Sequence, residues 1–161
     1  MRFFRPRLHL PLALLALACA QADAPPRRSL PAGEYASQEW GLVGAVNDYR
    51  AKRRQPLLRW DAGLAAVARQ HSRDMAEGRV PFSHQGFETR VAEARRLGYL
   101  AVAENLGTNN FPADTTVSVA MRGFLDSPPH RHAIEGPYER TGVGVARDLS
   151  GDFYFTQLFA R

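Results

Sequence analysis

Ser127-Pro128-Pro129-His130-Arg131-His132-Ala133-Ile134, followed by Gly142-Val143-Gly144-Val145, carries the chain from one structural period to another. The first stretch opens a short helix. Its prolines fall in the first turn, where N–H groups have no helical acceptor to lose, and Ser127 stands at the cap. The second stretch begins a strand over Gly142 to Arg147, and Phe153 to Ala160 makes another. Asp148 to Asp152, with Gly151, is the polar hairpin loop between them. Phe153, Phe155 and Phe159 share one face of the last strand; Tyr154, Thr156 and Leu158 share the other. Both faces are suited to burial, so helices must cover the sheet on two sides.

Upstream residues supply those helices. Leu42, Val46 and Tyr49 recur at helical spacing over Gln38 to Arg53, and Gln55-Pro56 ends the run. Asp61 is placed to cap a helix from Ala62 to Gly78, with Leu64, Val67, Ala68, His71 and Met75 on one stripe. A third helix runs from Gly86 to Leu97, with Phe87, Val91 and Ala94 turned inward. A fourth runs from Thr115 to Leu125, capped by Asp114. A further strand is predicted near Tyr99 to Ala103. The fold class is α/β, a three-layer α–β–α sandwich with a small central antiparallel sheet. Trp60 and Phe124 are expected in its core.

The amino terminus reads differently. Arg2, Arg5 and Arg7 precede the Leu/Ala run from Leu8 to Ala18. That is a secretory signal peptide over residues 1–20, too short for a membrane span. Ala18-Cys19-Ala20 and Ala20-Gln21-Ala22 both fit a small-x-small cleavage site. Leu15-Ala16-Leu17-Ala18-Cys19 offers the alternative of a lipobox, with Cys19 lipidated and anchoring the protein to a membrane. Cys19 is the only cysteine, so no intramolecular disulfide is possible. Residues 21–37, with Pro25-Pro26, Arg27-Arg28 and Pro31, read as a linker, leaving 38–161 as a single domain. The net charge of +5 loses three arginines with the leader, leaving about +2. The other arginines are scattered, and no basic stripe interleaves with aromatics, which excludes a nucleic-acid surface. Secretion, or residence in the periplasm or envelope, is the expected location, and a monomer the expected state.

Several segments together identify the chain as similar to the CAP superfamily, the SCP/PR-1-like domain, in its bacterial form. They are Val46-Asn47-Asp48-Tyr49-Arg50, Pro56-Leu57-Leu58-Arg59-Trp60-Asp61, Phe82-Ser83-His84, Glu104-Asn105-Leu106, Ser127-Pro128-Pro129-His130-Arg131, Gly142 to Val145 and Thr156-Gln157-Leu158-Phe159. The resemblance spans roughly residues 40–160 and implies a cleft carrying two histidines and two acids. By that resemblance His84 and His130 are the histidines and Glu104 the first acid, and in some members such a site holds a divalent metal such as zinc. The position of the second acid reads Phe124-Leu125-Asp126-Ser127, without a glutamate. Either Asp126, with a shorter reach, substitutes for it, or Ser127 simply caps the helix; both are counted as cleft residues with His84, Glu104 and His130.

Two imidazoles and a carboxylate are acceptable zinc ligands and leave a position for water. No HExxH helix is present. His71, on an apolar stripe, reads as a hydrogen-bonded core histidine, and His132, two residues from His130, as an exposed side chain turned elsewhere. Ser83 beside His84 lacks the geometry of a nucleophile–base pair, and no G-x-S-x-G elbow exists. Two classes of function remain. One is a non-catalytic cleft for a small amphiphile, lipid or envelope component; the other is a metal-dependent hydrolase of peptide or envelope substrates. The missing second acid favours binding over catalysis. A scaffold with a vestigial cleft is a third reading.

Overall fold

The computed structural model describes residues 33–161. The signal peptide, the lipobox with Cys19 and most of the expected linker lie outside the described residues. In chain order the elements are α1 (Ala36–Lys52), β1 (Arg59–Trp60), α2 (Ala62–Ala76), α3 (Phe87–Arg96), β2 (Val102–Asn109), α4 (Thr116–Asp126), α5 (Pro128–Glu135), β3 (Arg140–Arg147) and β4 (Phe153–Ala160). The sheet order is β1-β3-β4-β2. β3 and β4 form the expected hairpin, and β2 lies antiparallel on the far edge of β4. β1 departs from the expected antiparallel sheet: its two residues pair parallel to β3, Arg59 beside Arg140 and Trp60 beside Thr141.

Two helical layers enclose this sheet. α1, α4 and α5 pack on the face that carries Val143, Val145, Phe153, Phe155 and Phe159. α2 and α3 cover the other face, where Leu64, Ala68 and Ala94 meet Leu158 and Ala160. Trp60 and Phe124 are buried, as the sequence requires, and Trp40 stacks on Trp60 at 4.6 Å. The core residues named above all lie within 33–161, and with one cysteine the chain can form no intramolecular disulfide.

The glycines of Gly142-Val143-Gly144 are there because α2 lies directly on β3. A Cβ added to Gly144 would stand 2.1 Å from the backbone nitrogen of Arg69, and one on Gly142 would stand 2.2 Å from that of Ala65. Asp61 caps α2 as expected, its carboxylate accepting the Leu64 N–H at 2.8 Å. Gly78 ends the turn beyond it at φ +69.

Several sequence expectations shift. α1 begins at Ala36, inside the segment read as linker, because Tyr35 packs edge-on against Phe153 at 5.9 Å. β2 starts later than Tyr99 and runs through Glu104 and Asn105 to Asn109. Thr115, not Asp114, stands at the cap of α4. Ser127 is the cap residue of α5, but its side chain makes no capping bond. On α3 the buried residues are Arg90 and Ala94, with Val91 only partly covered. A buried arginine on the expected apolar stripe is the departure with chemical consequences.

Candidate functional site

β2 lays Glu104 beside Leu158 of β4, with its carboxylate directed toward the loop before α3. That carboxylate is buried, its side chain 1% exposed. Three donors converge on it. Arg90 grips it through both nitrogen edges, Nε to Oε2 at 2.5 Å and Nη2 to Oε1 at 2.7 Å. His84 donates from Nδ1 to Oε1 at 2.8 Å. This bidentate pair is the strong form of the charge-assisted bond. With Nδ1 committed, His84 turns Nε2 outward, and its side chain is 54% exposed.

Arg90 reaches further. Its Nη1 donates to the carbonyl of Gln85 at 3.0 Å and to His71 Nδ1 at 3.3 Å. His71 Nε2 donates in turn to the Ser83 carbonyl at 3.1 Å, which fixes its neutral tautomer. Burial, and then the neighbouring Arg90 charge, push the His71 pKa down. His71 is thus the hydrogen-bonded core histidine that its apolar stripe suggested. It also buttresses the arginine that holds Glu104.

α5 forms the opposite wall. A cleft cavity of about 390 Å³ is lined by His84, Glu104, Phe87, Val102 and Ala103 on one side. Pro129, His132, Ala133 and Tyr138 line the other side. His132 therefore faces the cleft, which corrects the expectation that it points elsewhere. A histidine one turn into so short a helix, just before buried Ala133 and Ile134, stays exposed while bordering the groove. His130 is not among the residues lining this cavity. Its ring packs edge-on against Phe124 at 5.3 Å, and its carbonyl accepts from Asn105 Nδ2 at 3.0 Å. Burial lowers its pKa, with the nearby His84 charge adding to the effect. Asp126, exposed at the end of α4, and Ser127 at the joint to α5 are also absent from the cavity lining.

Both Glu104 oxygens and His84 Nδ1 are already engaged, and the Arg90 guanidinium meets the carboxylate's charge, so Glu104 has little to offer a metal ion; His84 Nε2 keeps its lone pair. Among the described residues, no group of three or more His, Cys, Asp or Glu side chains is arranged to hold a metal.

Arg90, His132 and Tyr138 were missed as site residues in the sequence. For Arg90 a signal existed: it sits between Phe87 and Ala94 at helical spacing, and an arginine turned inward demands an acid. Nothing comparable marks Tyr138, which reaches the cleft only through the path of the loop after α5.

Comparison with known proteins agrees with this architecture. The family model for CAP, the cysteine-rich secretory protein family, matches residues 43–159. The uncharacterized membrane protein YlbC of Bacillus subtilis is 30% identical over 131 residues, covering 78% of this chain and 35% of that protein. The chain thus spans about a third of that relative. An extracellular protein containing an SCP domain from Bacillus anthracis is similar at a TM-score of 0.62 and 27% identity, over 78% of this chain and 40% of that one. An outer surface protein of Borrelia burgdorferi shares the fold at a TM-score of 0.62 and 19% identity, over 74% of this chain and 89% of its own. The α–β–α sandwich, the His84–Glu104 cleft and the family match over 43–159 together show that this chain belongs to the CAP family.

Proposed function

We propose that the protein is an exported or envelope-associated CAP-domain protein whose cleft binds a small amphiphilic envelope component, such as a lipid, without turning it over. The observation that carries this reading is the engagement of Glu104. Hydrolysis needs a base with a free lone pair beside the attacking water, and the buried carboxylate already serves Arg90 and His84. What remains at the surface is mixed in character. Phe87, Val102, Ala103 and Ala133 form an apolar floor; His84, His132 and Tyr138 place polar groups at its rim. Pockets of roughly 300–1,000 Å³ with a few convergent polar groups are the usual form of small-molecule sites, and this cleft, about 390 Å³, suits a head group with part of a chain. A divalent metal is not part of the proposal, because Glu104, the carboxylate that the family resemblance offers as a ligand, is already paired with Arg90.

The location rests on the leader-like first residues and on similarity to an extracellular protein and an outer surface protein. The test is a fluorescence titration of the 33–161 domain with monomeric, fluorophore-labelled lysophosphatidylglycerol, followed by mass spectrometry of the recovered lipid. Saturable binding lost in Phe87→Asp, with the lipid recovered intact, supports the proposal. Recovery of cleaved lipid supports a hydrolase instead, and the absence of saturable binding refutes the ligand class.

A further inference from the structure

We infer that the end of the molecule where β1 and β3 begin and β4 finishes is a docking surface for an anionic lipid bilayer. The strand order sets out the surface. Arg59 opens β1 and pairs with Arg140, which opens β3; Arg140 in turn pairs with Ala160, next to Arg161. The Arg161 carbonyl accepts from the N–H groups of Leu100 and Ala101 at 2.9 and 3.1 Å, which brings the approach to β2 into the same row. Three strand ends therefore contribute one arginine each, and the fourth contributes Leu100.

The helices extend the same end. α3 finishes here with Arg95 and Arg96, and the next residue, Leu97, lies over Gly63 at the start of α2. Tyr99 is tied to Asp61 by a 2.8 Å hydrogen bond, which fixes the segment that carries Leu100. α1 also ends here, with Arg54 held at φ 56 in the turn that leads to Leu57. Three leucines are left in solvent on this end: Leu57 at 56%, Leu97 at 47% and Leu100 at 86%.

Acids on this end are few and mostly occupied. Glu139 pairs with Arg59 at 3.8 Å, Glu93 pairs with Arg96, Glu135 pairs with Arg53 at 3.2 Å and accepts from Tyr49, and Asp61 accepts from Tyr99. The opposite end is mixed in sign. The β3–β4 hairpin presents Asp148 and Asp152 there beside Arg147, and Glu77 after α2 pairs with Arg79. An anionic surface would thus orient the domain arginine end inward by attraction to the strand-end and α3 arginines.

The leucines select a bilayer over a soluble polyanion. Arginines alone suit any anionic polymer, whereas exposed leucines between them gain by entering the boundary of head groups and acyl chains. Val102 and Tyr138 of the cleft stand at the same end, beside Ala160 and Glu139. A docked domain would bring the cleft to the lipid surface. The docking inference does not depend on the cleft's ligand, since its variants leave the cavity-lining residues intact.

The experiment is sedimentation of the 33–161 domain with phosphatidylglycerol-rich vesicles and with phosphatidylcholine vesicles. Binding is expected only to the first, falling steeply with salt. Each basic residue near an anionic surface contributes about a fivefold gain in partition. Arg95→Ser, Arg96→Ser and Arg161→Ser combined should therefore lower partition about 100-fold, with unchanged circular dichroism. Leu100→Ser should weaken binding, while Leu149→Ser on the opposite hairpin should not. Equal binding to both vesicle types, or no loss in the triple variant, would overturn the inference. So would binding to soluble heparin that competes fully with vesicles and ignores Leu100→Ser, which would mark a polyanion site.

Discussion

Arg90→Met is the perturbation that most directly probes how Glu104 is held. In the native domain the Glu104 side chain is 1% exposed and Arg90 9% exposed, joined at 2.5 and 2.7 Å. Methionine keeps most of the arginine's apolar stem but strands a buried carboxylate with only His84 Nδ1 beside it. Breaking such a pair from one side costs about 3–5 kcal/mol, because the remaining charge loses its partner without regaining water. A domain of 129 residues (33–161) has an unfolding entropy of about 0.27 kcal/mol/K, so the cost corresponds to a fall in Tm of about 11–18 °C. Glu104→Gln in the same background removes the stranded charge and should recover part of the loss, giving a positive coupling in a double-mutant cycle. Urea and thermal unfolding of the four proteins measure it. A loss below about 1 kcal/mol for Arg90→Met, or simple additivity with Glu104→Gln, would show that Arg90 does not hold the carboxylate as described.

Other consequences are open to measurement. Gly144→Ala places a methyl group against the α2 backbone, 2.1 Å from Arg69 N, and should destabilise by several kcal/mol or prevent folding, whereas Gly123→Ala, with nothing within 4 Å, should be tolerated. Equal unfolding midpoints for the two variants would refute the close packing of α2 on β3. Trp60→Ala, which removes an 8%-exposed ring stacked on Trp40, should cost about 3–5 kcal/mol in a denaturant melt, and a loss under about 1 would refute its packing role. His71 and His130 both have pKa values lowered by burial, so below the unfolded histidine value of about 6.5 the native state binds fewer protons than the unfolded chain. Stability should be full above that value and fall as pH drops toward the lowered folded values. The slope should flatten in a His71→Gln, His130→Gln double variant, and an unchanged slope would assign the acid sensitivity to other groups.

Much of this architecture was legible in the sequence because it rests on local signals. The Phe153 to Ala160 alternation, the Gly142 and Gly144 pair, the Asp61 cap and the prolines opening α5 each act within a few residues of themselves. The family motifs put His84, Glu104 and His130 in one cleft; His84 and Glu104 meet there, whereas the His130 ring packs on Phe124 and is not part of the cavity lining. What escaped depends on tertiary contact. Tyr35 joins the fold because Phe153 is across from it, which no local composition reveals. β1 pairs with β3 through only two residues, too few for a period. Arg90 was hidden by its own type, since arginines on short helices are usually solvated, and only the position of β2 shows that Glu104 waits for it. His132 entered the cleft against its spacing from His130 because α5 is a single short segment tucked beside β2.

The central claim is that this cleft takes up an amphiphile through His84, His132 and the apolar floor while Glu104 stays locked to Arg90. Side-chain imidazole and backbone NMR of the 33–161 domain, titrated with monomeric lysophosphatidylglycerol, tests it most directly. The account predicts saturable shifts at His84, His132, Phe87 and Tyr138. It predicts little change at His71, and lipid that remains intact throughout. Shifts confined to residues away from the cleft, or release of Glu104 from Arg90 with cleavage of the lipid, would contradict it.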